Sequence, residues 1–131
     1  IVVLSDGFDL YIRDILAREG LGHLPVYANH LEVREGSPWL DFPYSECGCG
    51  KCGNCKKSHL LRLRKPGDRV CYVGDGLSDR CVAGEADVVF AKDALATYCR
   101  EKGIAYFPFR SFADVRVKME YLLTREWRTN S

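Results

Sequence analysis

The residues best suited to chemistry lie in the segment 74–79, which reads Gly-Asp-Gly-Leu-Ser-Asp and follows the apolar residues 70–73. A buried strand there would deliver Asp75 at its tip, and the glycines would let the backbone turn tightly beneath a bulky ligand. Asp79 follows four residues later, so both carboxylates can share one space if a helix begins between them. Such carboxylates repel each other unless a cation lies beside them, and oxygen ligands next to a phosphate suit magnesium. The segment therefore predicts a magnesium site, with two solvated aspartates as the alternative.

A second polar segment, Ser5, Asp6 and Gly7, follows the apolar residues 1–4. A hydroxyl group and successive backbone N–H groups at the start of a helix form a site for an anion such as phosphate. Taken alone, the segment is better explained by a simple helix cap. We favour phosphate because the Asp75 segment repeats the arrangement of an apolar strand followed by a polar turn that contains glycine.

Lys56 and Lys57 open a predicted helix between these two segments. A cation at the start of a helix opposes the helix dipole, so these lysines need another reason for their position. Neutralising the charge of a phosphoryl group is one such reason. A pair of solvated surface lysines is the alternative.

Four cysteines lie within a short, glycine-rich stretch: Cys47, Cys49, Cys52 and Cys55. Four thiolates can hold zinc tetrahedrally, although so short a stretch is cramped for all four ligands. The spacing fits no common iron–sulfur pattern, and the odd total of seven cysteines argues against a disulfide framework. We expect either a zinc ion, in which His59 can replace one cysteine, or a loop of reduced thiols. The scattered cysteines are predicted to be small core residues: Cys71, Cys81 and Cys99.

The composition excludes several classes of function. The chain has 131 residues, 47% hydrophobic and 28% charged, which is typical of one globular domain. A net charge of +1, from 19 basic and 18 acidic residues, gives no reason to expect nucleic acid or an acidic membrane surface as the partner. No apolar run has the length of a membrane span, and we expect a cytoplasmic protein.

Predicted strands and helices alternate along the chain, which is typical of an α/β fold with a parallel sheet. We expect strands at residues 1–4, 24–27, 69–73, 87–90 and 104–107, and an edge hairpin through 31–33 and 39–42. Helices are expected at 55–64, 93–102 and 111–123, and a first helix is expected to bury Phe8, Ile12, Ile15 and Leu16. Ligands bind beyond the C-terminal ends of such strands, where both polar segments lie.

The order of these residues and the sequences around them resemble the motifs of a known family. Ser5, Lys56, Asp75 and Asp79 stand in the order of the second, third and fourth motifs of haloacid-dehalogenase-like phosphatases. The closest resemblance is to the phosphoserine-phosphatase-like branch, whose members act on small phosphorylated metabolites, one of them in methionine salvage. This resemblance rests on four sequence segments: Val-Leu-Ser-Asp-Gly-Phe-Asp, Cys-Gly-Asn-Cys-Lys, Gly-Asp-Gly-Leu-Ser-Asp-Arg and Asp-Val-Val-Phe-Ala-Lys.

The fold that this resemblance implies is a Rossmann-like parallel sheet flanked by helices. Residues 1–125 would form the C-terminal portion of the family's core, without its cap domain. A Cys-rich loop would occupy residues 47–55, and residues 126–131 would form a frayed tail.

The resemblance also implies a role for each matching residue. Ser5 and the Gly7 N–H would bind the substrate phosphate, and Lys56 would stabilise the charge of the phosphoryl group during catalysis. Asp75 would ligate magnesium, and Asp79 would support that site through water or hydrogen bonds. The implied function is magnesium-dependent hydrolysis of a small phosphorylated metabolite through an aspartyl-phosphate intermediate.

The chain departs from the family at the first motif, which supplies the nucleophilic aspartate. Asp6 and Asp9 have the wrong spacing for that motif, and they lie within the segment that resembles the second motif. We therefore expect residues 1–131 alone not to turn over substrate. A complementing chain or a homodimer is expected to fill the open central strand position. The alternative function is an inactive module that binds phosphate or zinc.

Overall fold

The computed structural model describes residues 1–45 and 54–125, and the chain divides into two compact units, Ile1–Pro66 and Gly67–Ser131. Helices alternate with strands, and each unit contains parallel strands. The predicted α/β fold class is therefore confirmed. Within the described ranges, no helix combines the length and apolar character that crossing a membrane requires.

The first unit builds a three-stranded sheet. Its elements are β1 Val3–Phe8, α1 Asp9–Arg18, β2 Val26–Arg34, β3 Ser37–Asp41 and α2 Lys56–Leu63. β1 and β2 are parallel, and parallel neighbours need a crossover such as α1 to connect them. β2 and β3 are antiparallel, which confirms the predicted edge hairpin. β2 runs from the predicted strand 24–27 directly into that hairpin as one continuous strand.

The hairpin between β2 and β3 has a two-residue turn. Glu35 and Gly36 have positive φ angles of 50° and 78°, as a tight two-residue hairpin turn requires.

The predicted burial of α1 was wrong, because no residue within α1 is buried and Ile15 is 55% exposed. A three-stranded sheet offers too small an apolar face to cover the whole stripe of the helix.

The second unit is an α/β arrangement whose described strands are all parallel. Its elements are β4 Cys71–Gly74, a 3-10 turn Leu77–Asp79, α3 Arg80–Ala83, β5 Val88–Ala91, α4 Asp93–Lys102, β6 Phe107–Pro108 and α5 Phe112–Arg125. The strand order is β4-β5-β6. The central strand β5 buries Val89, Phe90 and Ala91, as expected for a strand covered on both faces.

The core of the second unit fixes the strand ends that carry the polar segment around Asp75. One buried cluster consists of Ala83, Val89, Ala91, Leu95, Ala96 and Cys99. A second consists of Phe90, Phe109 and Val115. Cys99 is thus a core residue, as predicted, and it holds α4 against β5.

Candidate functional site

The segment Ser5-Asp6-Gly7 lies inside β1, whereas the sequence predicted a turn after a strand at residues 1–4. Leu4 pairs with Tyr27, and the next pair is Phe8 with Asn29. The step from Leu4 to Phe8 is four residues, and the matching step from Tyr27 to Asn29 is two, so the segment 5–7 bulges out of the ladder. Bulges often lie beside active sites because they redirect side chains. The predicted polar residues are therefore presented by a bulge rather than by a turn.

Within the bulge, the Gly7 N–H donates a hydrogen bond to Ser5 Oγ at 3.0 Å. Because Ser5 Oγ accepts this bond, its own O–H can still donate to a phosphate oxygen. A Cβ on Gly7 would lie 2.6 Å from the hydroxyl oxygen of Tyr11, which accepts a bond from the Phe8 N–H at 2.9 Å. Only glycine fits at this position without displacing Tyr11.

Two buried asparagines donate hydrogen bonds to backbone carbonyl groups of the bulge and of the neighbouring strand β2. Asn54 is 1% exposed, and its Nδ2 donates to Ser5 O at 2.7 Å and to Tyr27 O at 3.0 Å. Asn29 is 3% exposed, and its Nδ2 donates to Asp6 O at 2.8 Å. Buried backbone carbonyls need partners, and these amides supply them. Neither asparagine was among the site residues predicted from the sequence.

Lys56 begins α2 two residues after Asn54 and is only 7% exposed. The predicted cation is therefore at the start of its helix, and its neighbour Asn54 connects that helix start to Ser5. The solvated alternative for Lys56 does not fit this burial, because a solvated lysine keeps its ammonium group in water.

His59 lies buried in α2 with both ring nitrogens engaged, at 2% exposure. Its Nε2 lies 2.6 Å from Asn54 Oδ1, and its Nδ1 lies 2.7 Å from Arg62 Nη2. Its ring packs against Tyr27 and Tyr44, with ring centroids 4.9 and 4.4 Å apart. Burial, together with the nearby Arg62 charge, lowers the pKa of His59. The suggestion that His59 replaces a zinc-binding cysteine is not supported by a ring engaged in this way.

The zinc prediction concerns residues that lie mostly outside the described ranges. Cys47, Cys49 and Cys52 are not among the described residues. Cys55 is described; it is buried and precedes the first residue of α2. The zinc site stays a prediction.

The second polar segment follows β4, as predicted, and the carboxylate of Asp79 holds it in shape. Asp79 Oδ2 accepts hydrogen bonds from the N–H groups of Asp75 and Gly76, both at 3.0 Å. Asp79 Oδ1 accepts one from the Tyr72 hydroxyl at 2.5 Å. Asp79 is 4% exposed, whereas the side chain of Asp75 is exposed at the end of β4. The two aspartates therefore have different surroundings and can have different roles.

The loop is also tied to the start of α4. The Leu95 N–H donates to Asp75 O at 3.1 Å, and the Lys92 N–H donates to Gly74 O at 3.3 Å. Asp93, the first residue of α4, has a φ of 50°, which is uncommon for a residue other than glycine. Backbone strain of this kind is found preferentially at functional sites.

Magnesium at this segment stays a prediction, and the two aspartates would take different parts in holding it. Magnesium binds through one or two carboxylates and keeps several waters or phosphate oxygens as ligands. Asp75 offers an exposed carboxylate, while Asp79 already accepts three hydrogen bonds from the loop and from Tyr72. Asp75 is thus the residue that would ligate the ion, and Asp79 would hold the loop. No group of three or more His, Cys, Asp or Glu residues that could hold a metal occurs among residues 1–45 and 54–125.

The structure therefore places the predicted residues in two sets. Ser5 and Lys56 belong to the first unit, and Asp75 and Asp79 belong to the second. Their convergence around one phosphoryl group stays a prediction.

Comparison with known proteins identifies the relatives of this chain. It is 33% identical over 126 residues to the 2-hydroxy-3-keto-5-methylthiopentenyl-1-phosphate phosphatase of Exiguobacterium sibiricum, a match covering 95% of this chain and 56% of the relative. The proteins of the same name from Bacillus pumilus and Bacillus cereus are 32% and 34% identical, over 97% and 92% of this chain and 56% of each relative. No protein-family model matches the chain.

The chain thus spans about half the length of the curated relatives it matches, and the match extends over nearly all of its own length. The α/β fold and the motifs at Ser5, Lys56, Asp75 and Asp79 agree with this relationship. The chain is thus similar in sequence to these phosphatases, as its resemblance to haloacid-dehalogenase-like phosphatases predicted.

Proposed function

We propose that this chain is the phosphate-binding and magnesium-binding portion of a phosphatase that hydrolyses a small phosphomonoester. The relatives support the reaction class, and one observation supports the site. The carboxylate of Asp79 accepts two hydrogen bonds from the loop 74–76 and a third from Tyr72, and the loop so held presents the exposed carboxylate of Asp75 at the end of β4. The name of the relatives supports a finer proposal, that the substrate is 2-hydroxy-3-keto-5-methylthiopentenyl-1-phosphate, an intermediate of methionine salvage.

The chain's own residues would act mainly by binding and by stabilising charge. Ser5 would donate its O–H to a phosphate oxygen, and the ammonium group of Lys56 would offset the negative charge that grows during phosphoryl transfer. Magnesium, when bound at Asp75, would neutralise phosphate charge and orient the ester. Asp79 would keep the loop in the conformation that Asp75 needs.

The nucleophile in this proposal lies outside these residues. The attacking aspartate that the family implies belongs to the first motif, which the sequence 1–131 does not contain. A complementing segment or a second chain would supply it. This part of the proposal predicts that the chain binds phosphate and magnesium without turning over substrate.

The experiment that tests the proposal is a chimera in which residues 1–131 replace the matching part of the Exiguobacterium sibiricum relative. We expect the chimera to hydrolyse p-nitrophenyl phosphate and the relative's named substrate, and to lose this activity when magnesium is chelated. Asp75→Asn should lower kcat/KM about a hundredfold or more, as removal of transition-state charge stabilisation does.

The matched control is Asp14→Asn, which makes the same change of charge at an exposed side chain paired with Arg18 on α1. It should leave kcat/KM unchanged. Magnesium-dependent turnover by Asp75→Asn at the rate of the unmutated chimera would contradict the proposal. Turnover by the unfused chain would show instead that the prediction of a missing nucleophile is wrong.

A further inference from the structure

Two buried side chains of the first unit, Asn54 and His59, form a polar network with the exposed Arg62 that the proposed reaction does not use. Asn54 and His59 are 1% and 2% exposed, and Arg62 lies one helical turn after His59 on α2. Burying polar groups is unfavourable unless they are paired, and a fully paired network fixes one arrangement of its members. The network is therefore expected to hold a particular part of the first unit in one conformation.

The chemistry of the network allows one arrangement of its protons. A guanidinium group has no acceptor, so Arg62 must donate to His59 Nδ1. The ring is then neutral with its proton on Nε2, and Nε2–H donates to Asn54 Oδ1. The same orientation leaves the Asn54 NH₂ group to donate to the two backbone carbonyls, Ser5 O and Tyr27 O. Every hydrogen bond agrees with the others, so His59 and the two backbone carbonyls favour the same orientation of the Asn54 amide.

One end of this chain of bonds is Ser5, a residue assigned to phosphate binding. Asn54 Nδ2 holds the carbonyl of Ser5, whose hydroxyl accepts the Gly7 N–H. Asn54 also lies two residues before Lys56, at the start of the same helix. A reversed Asn54 amide would place its oxygen against the carbonyl oxygens of Ser5 and Tyr27, which repel it. The bulge and the helix start would then lose their connection.

We infer that His59 is a positioning residue that acts through Asn54 to hold Ser5 and Lys56 in the geometry that binds phosphate. The inference rests on the proposed function for its ligand but not for its geometry. The rings of Tyr27 and Tyr44 pack on the imidazole, and the Arg62 guanidinium lies over both rings at 5.2 and 5.9 Å. This packing keeps the imidazole in place, so that its two hydrogen bonds set the orientation of Asn54.

Two substitutions of His59 separate its two hydrogen bonds. His59→Gln places an NH₂ group near the position of Nε2 and keeps a donor for Asn54. His59→Asn keeps an oxygen near the position of Nδ1 for Arg62 but is too short to reach Asn54. Leu60→Ala is the control for simple loss of stability, because Leu60 is a buried apolar residue of the same helix, at 6% exposure.

The test measures two quantities on the 131-residue chain: the Kd for inorganic phosphate in magnesium buffer, and the hydrogen-exchange rate of the Gly7 amide. We expect His59→Asn to raise the Kd about tenfold or more, as the loss of a buried, network-forming hydrogen bond does, and to speed Gly7 exchange. His59→Gln should keep both the phosphate Kd and the Gly7 exchange rate close to those of the unmutated chain. Leu60→Ala should lower the melting temperature while leaving the Kd close to that of the unmutated chain.

The outcomes distinguish this inference from the proposed function. If the unmutated chain binds no phosphate, the proposed function fails, and Gly7 exchange alone then decides the inference. If His59→Asn leaves Gly7 exchange and the phosphate Kd unchanged, His59 has no positioning role. The same conclusion follows if Leu60→Ala and His59→Asn raise the Kd equally, since the effect would then be a general loss of stability.

Discussion

The hydroxyl of Tyr72, in the middle of β4, donates a hydrogen bond to the carboxylate of Asp79, seven residues later in the chain. The other carboxylate oxygen accepts two backbone N–H groups from the loop between them. Asp79 is buried, and a buried carboxylate is stable only when such donors surround it. The two residues thus close the loop that carries Asp75, and each can be tested separately.

Tyr72→Phe removes the hydroxyl and leaves the ring. We expect the free energy of unfolding to fall by about 1.5–3 kcal/mol, the usual range for a hydrogen bond to a charged group. The measurement is urea unfolding of the whole chain. Tyr121→Phe on α5 is the control, because this side chain is 47% exposed and its ring still contacts Lys118. Equal, negligible effects of the two substitutions would show that the Tyr72 hydroxyl does not stabilise the loop.

Gly74→Ala tests the space beside the same carboxylate. A Cβ at residue 74 would lie 2.6 Å from Asp79 Oδ2 and 2.7 Å from Asp79 Cγ, so that Asp79 would have to move and its bonds to the loop would weaken. We expect a loss of about 1–3 kcal/mol of stability, as for overpacked interiors, together with weaker magnesium binding by calorimetry.

The matched control for Gly74 is Gly84→Ala, at the end of α3. No atom of the described residues lies within 4 Å of a Cβ there, and the backbone is helical with a φ of −73°. This substitution should stabilise the chain by about 0.4–1 kcal/mol, since it restricts the unfolded state without strain in the folded one. If both alanines have the same effect, the contact with Asp79 is not the cause.

The second unit was largely predictable from local sequence. β5 is a continuous apolar run, and α4 ends at Gly103, whose φ of 69° suits glycine. The polar segment at Asp75 follows β4 for the same reason, because apolar runs and glycine-containing turns mark strand ends directly. The resemblance implied that Asp79 supports the site through water or hydrogen bonds, but the sequence did not identify the loop N–H groups and the Tyr72 hydroxyl as its partners.

The first unit was less predictable because long-range hydrogen bonds determine its geometry. Asn54 and Ser5 are 49 residues apart in the chain, and neither apolar periodicity nor capping patterns reveal such a pair. A bulge in β1 placed Ser5 inside a strand, although its sequence resembles a turn. The burial of His59 was not predicted, because a single polar side chain on a short helix gives no sign of burial.

A pH dependence should arise from His30, which lies between two carboxylates of the first unit. Its Nδ1 is 2.8 Å from Asp9 Oδ2, and its Nε2 is 2.9 Å from Glu32 Oε2. These hydrogen bonds, the one to Asp9 first, raise the pKa of His30 above the ordinary 6.5. The protonated ring therefore stabilises the fold. This contribution is fully present below pH 6.5 and is lost as the pH rises through the raised pKa.

The measurement is urea unfolding across this pH range for the unmutated chain and for His30→Asn. The difference in stability between the two should shrink as the pH rises, because the asparagine has no charge to lose. An NMR titration of the His30 ring in Asp9→Asn should show its pKa moving back toward 6.5. A His30 pKa at or below that value in the unmutated chain would contradict the assignment.

Cysteine reactivity offers a test of the second unit that does not depend on any ligand. Burial raises the pKa of the Cys71 thiol to about 11 and also raises the pKa of Cys99. Because the thiolate is the reactive form, both residues should resist iodoacetamide at neutral pH in the folded chain. Both should react once the chain is unfolded in urea, where their pKa values return to the ordinary range. Mass spectrometry of the alkylated peptides reads each cysteine separately, and rapid labelling of Cys99 under native conditions would mean that α4 does not pack against β5 as described.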